Sequence, residues 1–556
     1  MAETGLVRAQ QSDISQIGTW ARTAGGSGID RARSQAIDKD QNIYVAGQFE
    51  NSVTFKGGTT SITLNSKGGS DIFIAKYDKC GNLLWAKAIG DDGEDVAKSI
   101  VVDDLGSCYI TGYFENIVDF NPGAGNNTLS STLFTRDAFF GKYDKNGNYI
   151  WAKKIGGPDF DIGNVIRLDK TDGTGNIYVA GYFYGITNFN PSGSELLTAV
   201  GQADFFFAKY TLDGNFIWAR SAGGDVIDVA NDMQINNAGE VFLTGYYTAL
   251  TDFNPAPTGV NNLISAGNED IFLAKYNSSG NYVWARSMGG TTRTDQGLSI
   301  KLQSDGKILL AGQFGGTADF DPTTSTSTLT TSGLIEGFFS RYTATGALEF
   351  VKALGGGGDD VATSLTMDST GRIYVGGYFS GSMDADPGSG VTTITGKGGR
   401  DLFIGKYSNL GELIWAKGTG GQTGNEVAQE ISVDTLGNVY AAGTYANDVD
   451  FDPSDSTNNF IGSGADDAYV LKLDSNGLVS RVIFDINNNI QCFPDHEVIL
   501  RNQSTAVNSN YVFTWDMGNG VTLTGNEIKY KYPVPGIYDI KLKVTDGATC
   551  NSQSIL

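Results

Sequence analysis

The chain has 556 residues, and its 39 Lys and Arg against 62 Asp and Glu give a net charge of −23. So acidic a surface repels nucleic acid and anionic membranes, which excludes both as expected partners. No apolar run reaches the roughly 20 residues that a membrane-spanning helix needs. The N-terminus lacks the basic-then-apolar layout of a signal peptide, as expected of a cytosolic chain or of one whose leader has been removed.

A repeat of about 66 residues organises most of the chain. Similar text, as in "GNLLWAKAIG" and "GNYIWAKKIGG", surrounds seven aromatic positions that are spaced by 65 to 67 residues. Internal repeats of this length are typical of solenoids, propellers and arrays. The seven positions, which we expect to pack the repeats together, are Trp20, Trp85, Trp151, Trp218, Trp284, Phe350 and Trp415.

Each repeat contains four predicted strands. In the repeat after Trp151 they cover 164–169, 176–183, 204–210 and 215–222, which are rich in Val, Ile, Phe and Tyr and bounded by Gly, Asn and Asp. Seven units of four antiparallel strands predict an all-β, seven-bladed β-propeller, because radial repetition leaves only short, protected edges. A linear solenoid is the alternative, but it needs distinct capping repeats.

The number of strands predicts how the ring closes. The first three strands occur seven times and the fourth occurs eight times, with the surplus pair at 17–26 and 477–485. Only the first of these two carries the Trp. We therefore expect the strand around Trp20 to complete the last blade, and 477–485 to be an exit strand or linker.

The patterns "GN-x-Y-x-x-G-x-F" and "D-x-F-x-x-K-Y" around the Trp resemble the bacterial seven-bladed β-propeller repeat family. The resemblance covers about residues 14–484, after a tail at 1–13. It departs from the family pattern at Phe350 and at "TFKG" (54–57), which replaces an acidic turn. The resemblance implies a secreted or surface-exposed bacterial protein.

After residue 485 the repeat stops, and a second domain is predicted over 485–556. "WDMGNG" (515–520) and "YKYPVPGIYDIKLKVTD" (530–546) resemble the polycystic kidney disease (PKD) domain, with Met517 and Asn519 in place of the usual Phe and Asp. The resemblance implies an immunoglobulin-like β-sandwich. It also implies a place in large surface proteins of bacteria that use type 9 secretion.

Two disulfides are predicted from the four cysteines. Cys492 precedes the first strand of the sandwich and Cys550 follows its last, and small extracellular sandwiches often need such a link. Cys80 and Cys108 lie in or beside turns expected on one face of adjacent blades. A second bridge between them is predicted if their radial distance permits it.

Enzyme chemistry has few candidate residues. The single histidine, His496, belongs to the C-terminal domain, which excludes Ser-His-Asp and His-based zinc sites. The cysteines lack CxxC spacing, and no phosphate-binding glycine motif precedes a helix. We expect no catalytic residues, although a carboxylate pair of the glycoside hydrolase kind stays open.

The tetrapeptide "DFNP", or a close variant, recurs in six repeats. Calcium is the one cofactor it suggests, because D-x-[DN] supplies two oxygens at alternate positions, although the full D-x-D-x-D-G loop is absent. The alternative is an Asx-type turn whose Phe packs inward and whose Pro ends the strand. The candidate ligands are Asp119, Asn121, Asp252, Asn254, Asp319, Asp321, Asp384, Asp386, Asp450 and Asp452.

Two more acids recur in all seven repeats, and we expect them to serve the scaffold through loop-ordering hydrogen bonds and inter-blade ion pairs. The set that follows the Trp position is Asp30, Asp95, Asp161, Asp228, Asp295, Asp360 and Glu426. The set that opens the third strand is Asp71, Asp137, Asp204, Asp270, Glu336, Asp401 and Asp467.

A partner site is expected where the repeats differ, because exposed aromatic residues on loops commonly bind sugars or proteins. The candidates are 156–163, 183–189, 245–253, Arg136, Arg293 and Arg400. The sequence thus predicts a secreted, cell-surface binding or adhesion module for protein or glycan, with self-association in a surface assembly as a further expectation. The alternatives are a carboxylate-based polysaccharide-degrading enzyme and a structural spacer or filament subunit.

Overall fold

The computed structural model describes residues 19–132, 134–170, 172–454, 459–479, 484–487, 497–504, 511–534, 536–545 and 551–555. The expected N-terminal tail and His496 lie outside these ranges. Within them, the regular structure consists of β-strands. No helix in the described part of the chain is long and apolar enough to cross a membrane.

Residues 20–473 form seven four-stranded antiparallel sheets, one for each repeat. The strands of sheets 1 to 3 are Arg31–Ile37, Ile43–Gly57, Thr60–Tyr77 and Leu83–Ile89; Val96–Val102, Cys108–Glu115, Arg136–Tyr143 and Tyr149–Ile155; and Asp161–Leu168, Asn176–Asn188, Leu196–Thr211 and Phe216–Gly224. Those of sheets 4 and 5 are Val229–Ile235, Val241–Tyr247, Asp270–Tyr276 and Tyr282–Gly290; and Gln296–Leu302, Ile308–Phe314, Glu336–Tyr342 and Leu348–Gly356. Those of sheets 6 and 7 are Val361–Met367, Ile373–Asp384, Thr393–Tyr407 and Leu413–Thr419; and Val427–Val433, Val439–Tyr445, Asp467–Leu473 and Trp20–Gly26.

The first strand of the chain belongs to the last sheet. Trp20–Gly26 pairs antiparallel with Asp467–Leu473, with Trp20 opposite Lys472. The first strand of each sheet contacts the first strand of the next, and that of sheet 7 contacts that of sheet 1. Every sheet therefore has a neighbouring sheet on both sides.

Polar side chains on the first strands hold successive sheets together. Ser34 Oγ accepts a hydrogen bond from Ile100 N at 3.1 Å, which links sheets 1 and 2. Glu430 Oε2 accepts from Gln35 N at 2.9 Å, which links sheet 7 to sheet 1 across 395 residues of sequence. Long-range hydrogen bonds thus fasten the last sheet to the first in the same way as two consecutive sheets.

The connection between the second and third strands forms an outer hairpin in every sheet. In sheets 1, 3 and 6 the two long strands run continuously into it. In the others it is a separate pair of short strands: Ile117–Asp119 with Thr128–Ser130, Leu250–Asp252 with Asn262–Ile264, Thr317–Asp319 with Thr328–Thr330, and Asp448–Asp450 with Asn459–Ile461. The predicted strands stopped short of this hairpin because its residues are polar and turn-rich.

The seven aromatic positions lie against a turn glycine of the following sheet. Trp20, in sheet 7, contacts Gly81 of sheet 1: a Cβ at Gly81 would lie 2.6 Å from Trp20 Cδ2. Gly81 also has φ +76°, so the turn excludes a side chain on two grounds. Trp20 Nε1 donates to Lys79 O of the same turn at 3.2 Å. The other contacts join Trp85 to Gly147, Trp151 to Gly214, Trp218 to Gly280, Trp284 to Gly346, Phe350 to Gly411, and Trp415 to Gly477.

The C-terminal residues form two packed sheets. One contains Phe484–Ile486, Val498–Asn502 and Glu527–Tyr530, and the other contains Thr522–Thr524, Val512–Asp516, Lys541–Thr545 and Asn551–Ile555. Trp515 is fully buried between them, in one cluster with Leu500 and Leu542. This is an immunoglobulin-like sandwich. Since Phe484–Ile486 pairs with Val498–Asn502, the end of segment 477–485 belongs to the sandwich.

The predicted bridge between Cys80 and Cys108 is wrong. Cys108 is a free, fully buried thiol that begins the second strand of sheet 2. Its side chain points into a core cluster with Tyr44 and Ile100, away from the turn surface. The other predicted bridge, between Cys492 and Cys550, lies outside the described residues.

Candidate functional site

The acidic tetrapeptides form Asx turns in the outer hairpins. Asp119 Oδ1 accepts from Asn121 N at 3.0 Å and from Asn127 N at 2.9 Å, and Asn121 Oδ1 accepts from Gly123 N at 2.8 Å. The first residue of the tetrapeptide makes the same turn at Asn188, Asp252, Asp319, Asp384 and Asp450. The third residue caps the next bend at Asn190, Asn254, Asp321, Asp386 and Asp452. Side-chain oxygens in these turns therefore accept backbone N–H groups.

The middle residue of each tetrapeptide is buried in the sheet, as expected for the Asx-turn alternative. Phe253 is fully buried, and its ring lies 5.2 Å from that of Phe272. Tyr276, at the end of the third strand, donates its hydroxyl to Phe253 O at 3.0 Å. The same tyrosine bond recurs for Tyr143, Tyr210, Tyr342 and Tyr407. Sequence reasoning missed this bond, although the tyrosine is visible in "D-x-F-x-x-K-Y".

These hairpins also join neighbouring sheets. Asp252 pairs with Gly223, and Asp319 pairs with Gly289, so each hairpin adds to the fourth strand of the preceding sheet. The part of the chain that the structure describes has no group of three or more His, Cys, Asp or Glu side chains placed to hold a metal. Calcium binding stays a prediction, and the observed hydrogen bonds fit the turn.

The two further acids of each repeat lie close together where one sheet contacts the next. We call these contacts between successive sheets the seams. Asp228 Oδ2 accepts from Gly224 N at 2.7 Å and its Oδ1 accepts from Thr248 N at 3.1 Å, which orders the connection between sheets 3 and 4. Asp204 Oδ2 accepts from Val200 N at 3.1 Å. Asp204 Oδ1 is buried, with no hydrogen-bond partner among the described residues.

Within a pair, one glycine lies between the two carboxyl groups. The Cβ position of Gly289 is 2.7 Å from Asp270 Oδ1 and 3.0 Å from Asp295 Oδ2. All fourteen acids are buried. The seven pairs are Asp467 with Asp30, Asp71 with Asp95, Asp137 with Asp161, Asp204 with Asp228, Asp270 with Asp295, Glu336 with Asp360, and Asp401 with Glu426.

Burial makes Asp204 and Asp228 weak acids, and repulsion within the pair adds to the effect at Asp228. Burial raises the pKa of Asp204 to about 6. Burial, with repulsion from Asp204, raises the pKa of Asp228 to about 7. The loop-ordering hydrogen bonds were expected, but pairing of acid with acid was not. An ion pair to such a group does occur at Asp137, whose Oδ2 lies 2.6 Å from Lys154 Nζ.

A cluster of aromatic rings surrounds Arg136 where sheets 2 and 3 meet. Arg136 Cζ lies 4.7 Å from the ring centroid of Tyr113 and 6.0 Å from that of Phe160. The Phe160 ring is 6.3 Å from Tyr184, which is 6.2 Å from Tyr182. We call these five residues the rim. The structure thus brings together three of the predicted partner-site candidates, namely Arg136, segment 156–163 and segment 183–189.

The rim combines fixed and accessible groups. Arg136 is paired with Glu94 and with Glu115, the latter at 3.0 Å, and Tyr113 donates to Glu94 at 3.2 Å. Phe160 is 44% exposed, so its ring is available to a partner. The rim therefore offers an accessible aromatic face next to a guanidinium held in place.

The remaining candidates do not join the rim in the same way. Arg400 lies 4.5 Å from Tyr378 in sheet 6, with no further ring contact to Tyr378 among the described residues. Arg293 is exposed in the connection between sheets 4 and 5. In segment 245–253, burial raises the pKa of Tyr246, and Glu269 and the rim tyrosines contribute to the shift. Tyr246 is thus a neighbour of the rim.

The first strands line a central cavity of about 130 Å³ that is open to solvent, with residues from all seven sheets. Sequence reasoning missed it, because its lining was read only as alternating strand residues. The signal was a position that varies between repeats, with Asn shared by two of them. Its residues are Arg33, Lys98, Asn164, Asn231, Leu298, Thr363 and Gln429.

The carboxylates in the cavity wall accept hydrogen bonds from neighbouring side chains and backbone N–H groups. Asp232 Oδ1 accepts from Arg167 Nη2 at 2.6 Å, and its Oδ2 accepts from Ile300 N at 2.9 Å. Glu430 Oε2 accepts from Ser34 Oγ at 2.6 Å. Both acids therefore have structural partners within the wall.

Two cations in the wall have neutral partners. Arg33 donates through Nε and Nη2 to Gln48 Oε1 at 3.2 and 3.0 Å, and Lys98 Nζ donates to Asn164 Oδ1 at 3.0 Å. Neither makes an ion pair within the described ranges. Burial, with the charges of Arg33 and Arg136, lowers the pKa of Lys98 to about 8, so the cavity cations are electrostatic neighbours of the rim.

Comparison with known proteins identifies the C-terminal domain. The family model of the PKD domain matches residues 486–555. The chain is 26% identical over 509 residues to the WD repeat-containing protein L264 of Acanthamoeba polyphaga mimivirus, covering 77% of this chain and 36% of the relative. It is 31% identical over 184 residues to the regulatory protein FlaEY of Caulobacter vibrioides, covering 32% of this chain and 18% of the relative. The chain thus spans little more than a third of the length of protein L264 and less than a fifth of the length of FlaEY.

Two solved structures resemble parts of the fold. Sqt1 from Chaetomium thermophilum has a TM-score of 0.34 at 8% identity and covers 84% of this chain and 100% of its own. An ulvan lyase of polysaccharide lyase family PL25 has a TM-score of 0.29 at 11% identity and covers 88% of this chain and 93% of its own. At these TM-scores neither likeness supports an argument about function.

Proposed function

We propose that the repeats, predicted over residues 14–484, form a seven-bladed β-propeller and that a separate PKD-like sandwich follows, whose first strand already begins at Phe484. The pairing of Trp20–Gly26 with Asp467–Leu473 supports a closed ring. So does the contact between the first strands of sheets 7 and 1. A linear solenoid leaves its first and last units apart, so these contacts favour the propeller.

The propeller is a non-enzymatic binding or adhesion module of a larger bacterial surface protein, and it recognises protein or glycan through the rim. The observation that carries this proposal is the Arg136-centred cluster with the accessible Phe160 ring. Flat aromatic faces suit the apolar face of a sugar and the apolar side chains of a protein, and a fixed guanidinium adds polar contacts.

The module acts outside the cell. The PKD domain at residues 486–555 supports this location, as does the resemblance of the repeats to secreted bacterial propellers. Type 9 secretion and assembly into a surface structure belong to the same proposal.

A carboxylate-based polysaccharide-degrading enzyme is the main alternative. The seam pairs do not favour it, because these acids are buried beneath a glycine and out of reach of a polymer. A structural spacer or filament subunit would need the propeller scaffold but not an accessible aromatic site such as the rim. The rim distinguishes the binding proposal from both.

A glycan array and a panel of surface proteins, probed with the full chain, test the proposal. Phe160→Ala and Tyr184→Ala should each weaken binding about tenfold, since truncating an interface anchor costs more than about 1 kcal/mol. Leu436→Ala is the matched control: Leu436 is 70% exposed in a turn at the opposite end of the strands, in sheet 7. Unchanged binding by both rim variants would refute the rim. A polysaccharide-degradation assay on the same samples separates binding from catalysis.

A further inference from the structure

The central cavity carries a positive charge that the overall composition does not predict. The chain has a net charge of −23, yet Arg33, Lys98 and Arg167 reach the cavity against only two carboxylates, Asp232 and Glu430. Arg167 forms an ion pair with Asp232. The hydrogen-bond partners of Arg33 and Lys98 in the described structure are side-chain amides. Two adjacent sheets thus present two cations that make no ion pair in the described structure, although the charge of Glu94 acts on both from outside ion-pair distance.

We propose that the central cavity binds one small anionic group, a carboxylate or a sulfate, between Arg33 and Lys98. Arg33 uses Nε and Nη2 on one oxygen of Gln48, and Lys98 uses one of its three N–H donors on Asn164. Guanidinium and ammonium groups with remaining donors form charge-assisted hydrogen bonds to carboxylate and sulfate oxygens. The anion supplies the ion-pair partner that Arg33 and Lys98 do not have in the described structure.

The size of the cavity limits the ligand to a single group. Its volume of about 130 Å³ lies below the roughly 300–1,000 Å³ that is typical of drug-sized ligand sites. Aliphatic side chains contribute little to the wall, in which Leu298 and Val165 stand among polar residues. A compact, charged, hydrogen-bonding group therefore fits better than an apolar one.

Further charges favour an anion over a cation. Burial lowers the pKa of Lys301, the charge of Arg167 adds to the shift and those of Asp232 and Glu430 oppose it, which places a fourth positive group near the two cavity acids. Burial likewise lowers the pKa of Arg33; the charge of Arg31 adds to the shift, and Tyr113, Asp466 and Glu94 oppose it. Removing water from several close cations is unfavourable unless an anion accompanies them. A bound cation would add to this repulsion.

The inference deepens the proposed function, because a carboxylate or sulfate can be a free ion or part of an acidic glycan held on the rim. Lys98 has Arg136 of the rim among its electrostatic neighbours. A charged group of a longer ligand on the rim could thus enter the cavity. The cavity can also bind a free anion if the rim binds nothing. A negative result at the rim therefore does not contradict the cavity proposal.

Isothermal titration calorimetry on the full chain tests the inference with acetate, sulfate, glucuronate and an oligouronate, at constant ionic strength. We expect saturable binding of acetate or sulfate in the millimolar range, weakened at least tenfold in Arg33→Gln and in Lys98→Gln. Arg33→Lys keeps the charge and should retain part of the affinity. Lys39→Gln removes one exposed positive charge from a turn and should leave the affinity unchanged.

The four ligands separate the possible outcomes. Tighter binding of oligouronate than of glucuronate, lost in Phe160→Ala while acetate still binds, supports both proposals. Binding of acetate or sulfate without oligouronate supports the cavity and refutes a glycan rim. No saturable binding of acetate or sulfate to the unaltered protein overturns the cavity proposal, as does binding that neither Arg33→Gln nor Lys98→Gln changes. Urea unfolding of each variant shows whether a lost signal reflects lost folding.

Discussion

The seams between sheets and the central cavity are built from the same repeats in opposite ways. At the seams, each repeat supplies the same parts: an aromatic ring against a turn glycine, and two acids beside a second glycine. In the cavity and at the rim, equivalent positions carry different residues, such as Arg33, Lys98 and Leu298. Seven sheets in mutual contact need equal seams, whereas a site that binds one ligand needs residues that differ between repeats. In this protein, repetition marks the scaffold and departure from repetition marks the candidate binding site.

Trp20→Ala should have the largest effect on stability. Trp20 is 3% exposed and packs sheet 7 against the Gly81 turn of sheet 1, and it lies on the strand whose pairing with Asp467–Leu473 joins the two ends of the repeat region. Truncating a buried Trp to Ala costs about 3–5 kcal/mol. Urea unfolding should show a loss of this size in the free energy of unfolding.

Trp20→Phe is the matched control, because Phe350 occupies the equivalent position in sheet 5. It keeps the ring contact and loses the hydrogen bond from Nε1 to Lys79 O, which is worth about 1 kcal/mol. Equal losses for both substitutions would show that the hydrogen bond, and not the ring, holds this seam.

The acid pairs predict an unusual dependence of stability on pH. The pKa of Asp204 is raised to about 6 and that of Asp228 to about 7, above the roughly 3.9 of an unfolded chain. The folded state therefore holds more protons than the unfolded state between about pH 4 and pH 7. Stability should be greatest near pH 4 and fall as pH rises through 6 to 7, by about 1.4 kcal/mol per pH unit for each extra proton held.

Unfolding curves at pH 5 and pH 8 measure this slope. Asp204→Asn removes one charge of a pair and can donate to Asp228, so it should flatten the slope. Asp92→Asn, at an exposed position, should leave the slope unchanged. Stability that rises with pH over this range would contradict the raised pKa values of Asp204 and Asp228.

The sequence predicted the repeated part of the molecule well, because the same packing requirements produce the same residue pattern in seven repeats. The surplus fourth strand pointed to the return of Trp20, which does pair with Lys472. The inward Phe of "DFNP" was likewise visible from its position between turn-forming residues. Because seven copies can be aligned with one another, equivalent positions are identified that the pattern of a single strand does not reveal.

Prediction failed where the answer depended on side-chain direction. Cys108 was placed beside a turn, but its position at the start of a strand directs the thiol into the core. Arg33 and Lys98 are far apart in sequence and line one cavity only because adjacent first strands contact each other. The acids were expected to face bases, and only the folded seam brings acid against acid.

A smaller effect is expected from the tyrosine that supports each outer hairpin. Tyr276→Phe removes the 3.0 Å hydrogen bond to Phe253 O and leaves a buried acceptor unpaired, at a cost of about 1–3 kcal/mol. Tyr77→Phe is the control in sheet 1, where "TFKG" replaces the acidic turn, and it should cost less. Urea unfolding of the two variants compares a hairpin that uses the bond with one that was built without it. Equal costs would mean that the hydroxyl does not support the turn.

Calcium should have the smallest effect, because the tetrapeptides act as scaffold. Asp319 Oδ1 accepts from Asp321 N at 3.1 Å and from Ser327 N at 2.8 Å, so this oxygen is engaged within the turn. Calcium takes six to eight oxygen ligands, and each turn supplies only two side-chain carboxyl or amide groups at alternate positions. Adding calcium to chelator-treated protein should leave Tm unchanged. Asp319→Asn, which keeps the accepting oxygen, should also leave Tm nearly unchanged. If calcium instead raises Tm and Asp319→Asn abolishes the rise, the hairpins are metal sites, and repetition in this ring marks ligand binding as well as structure.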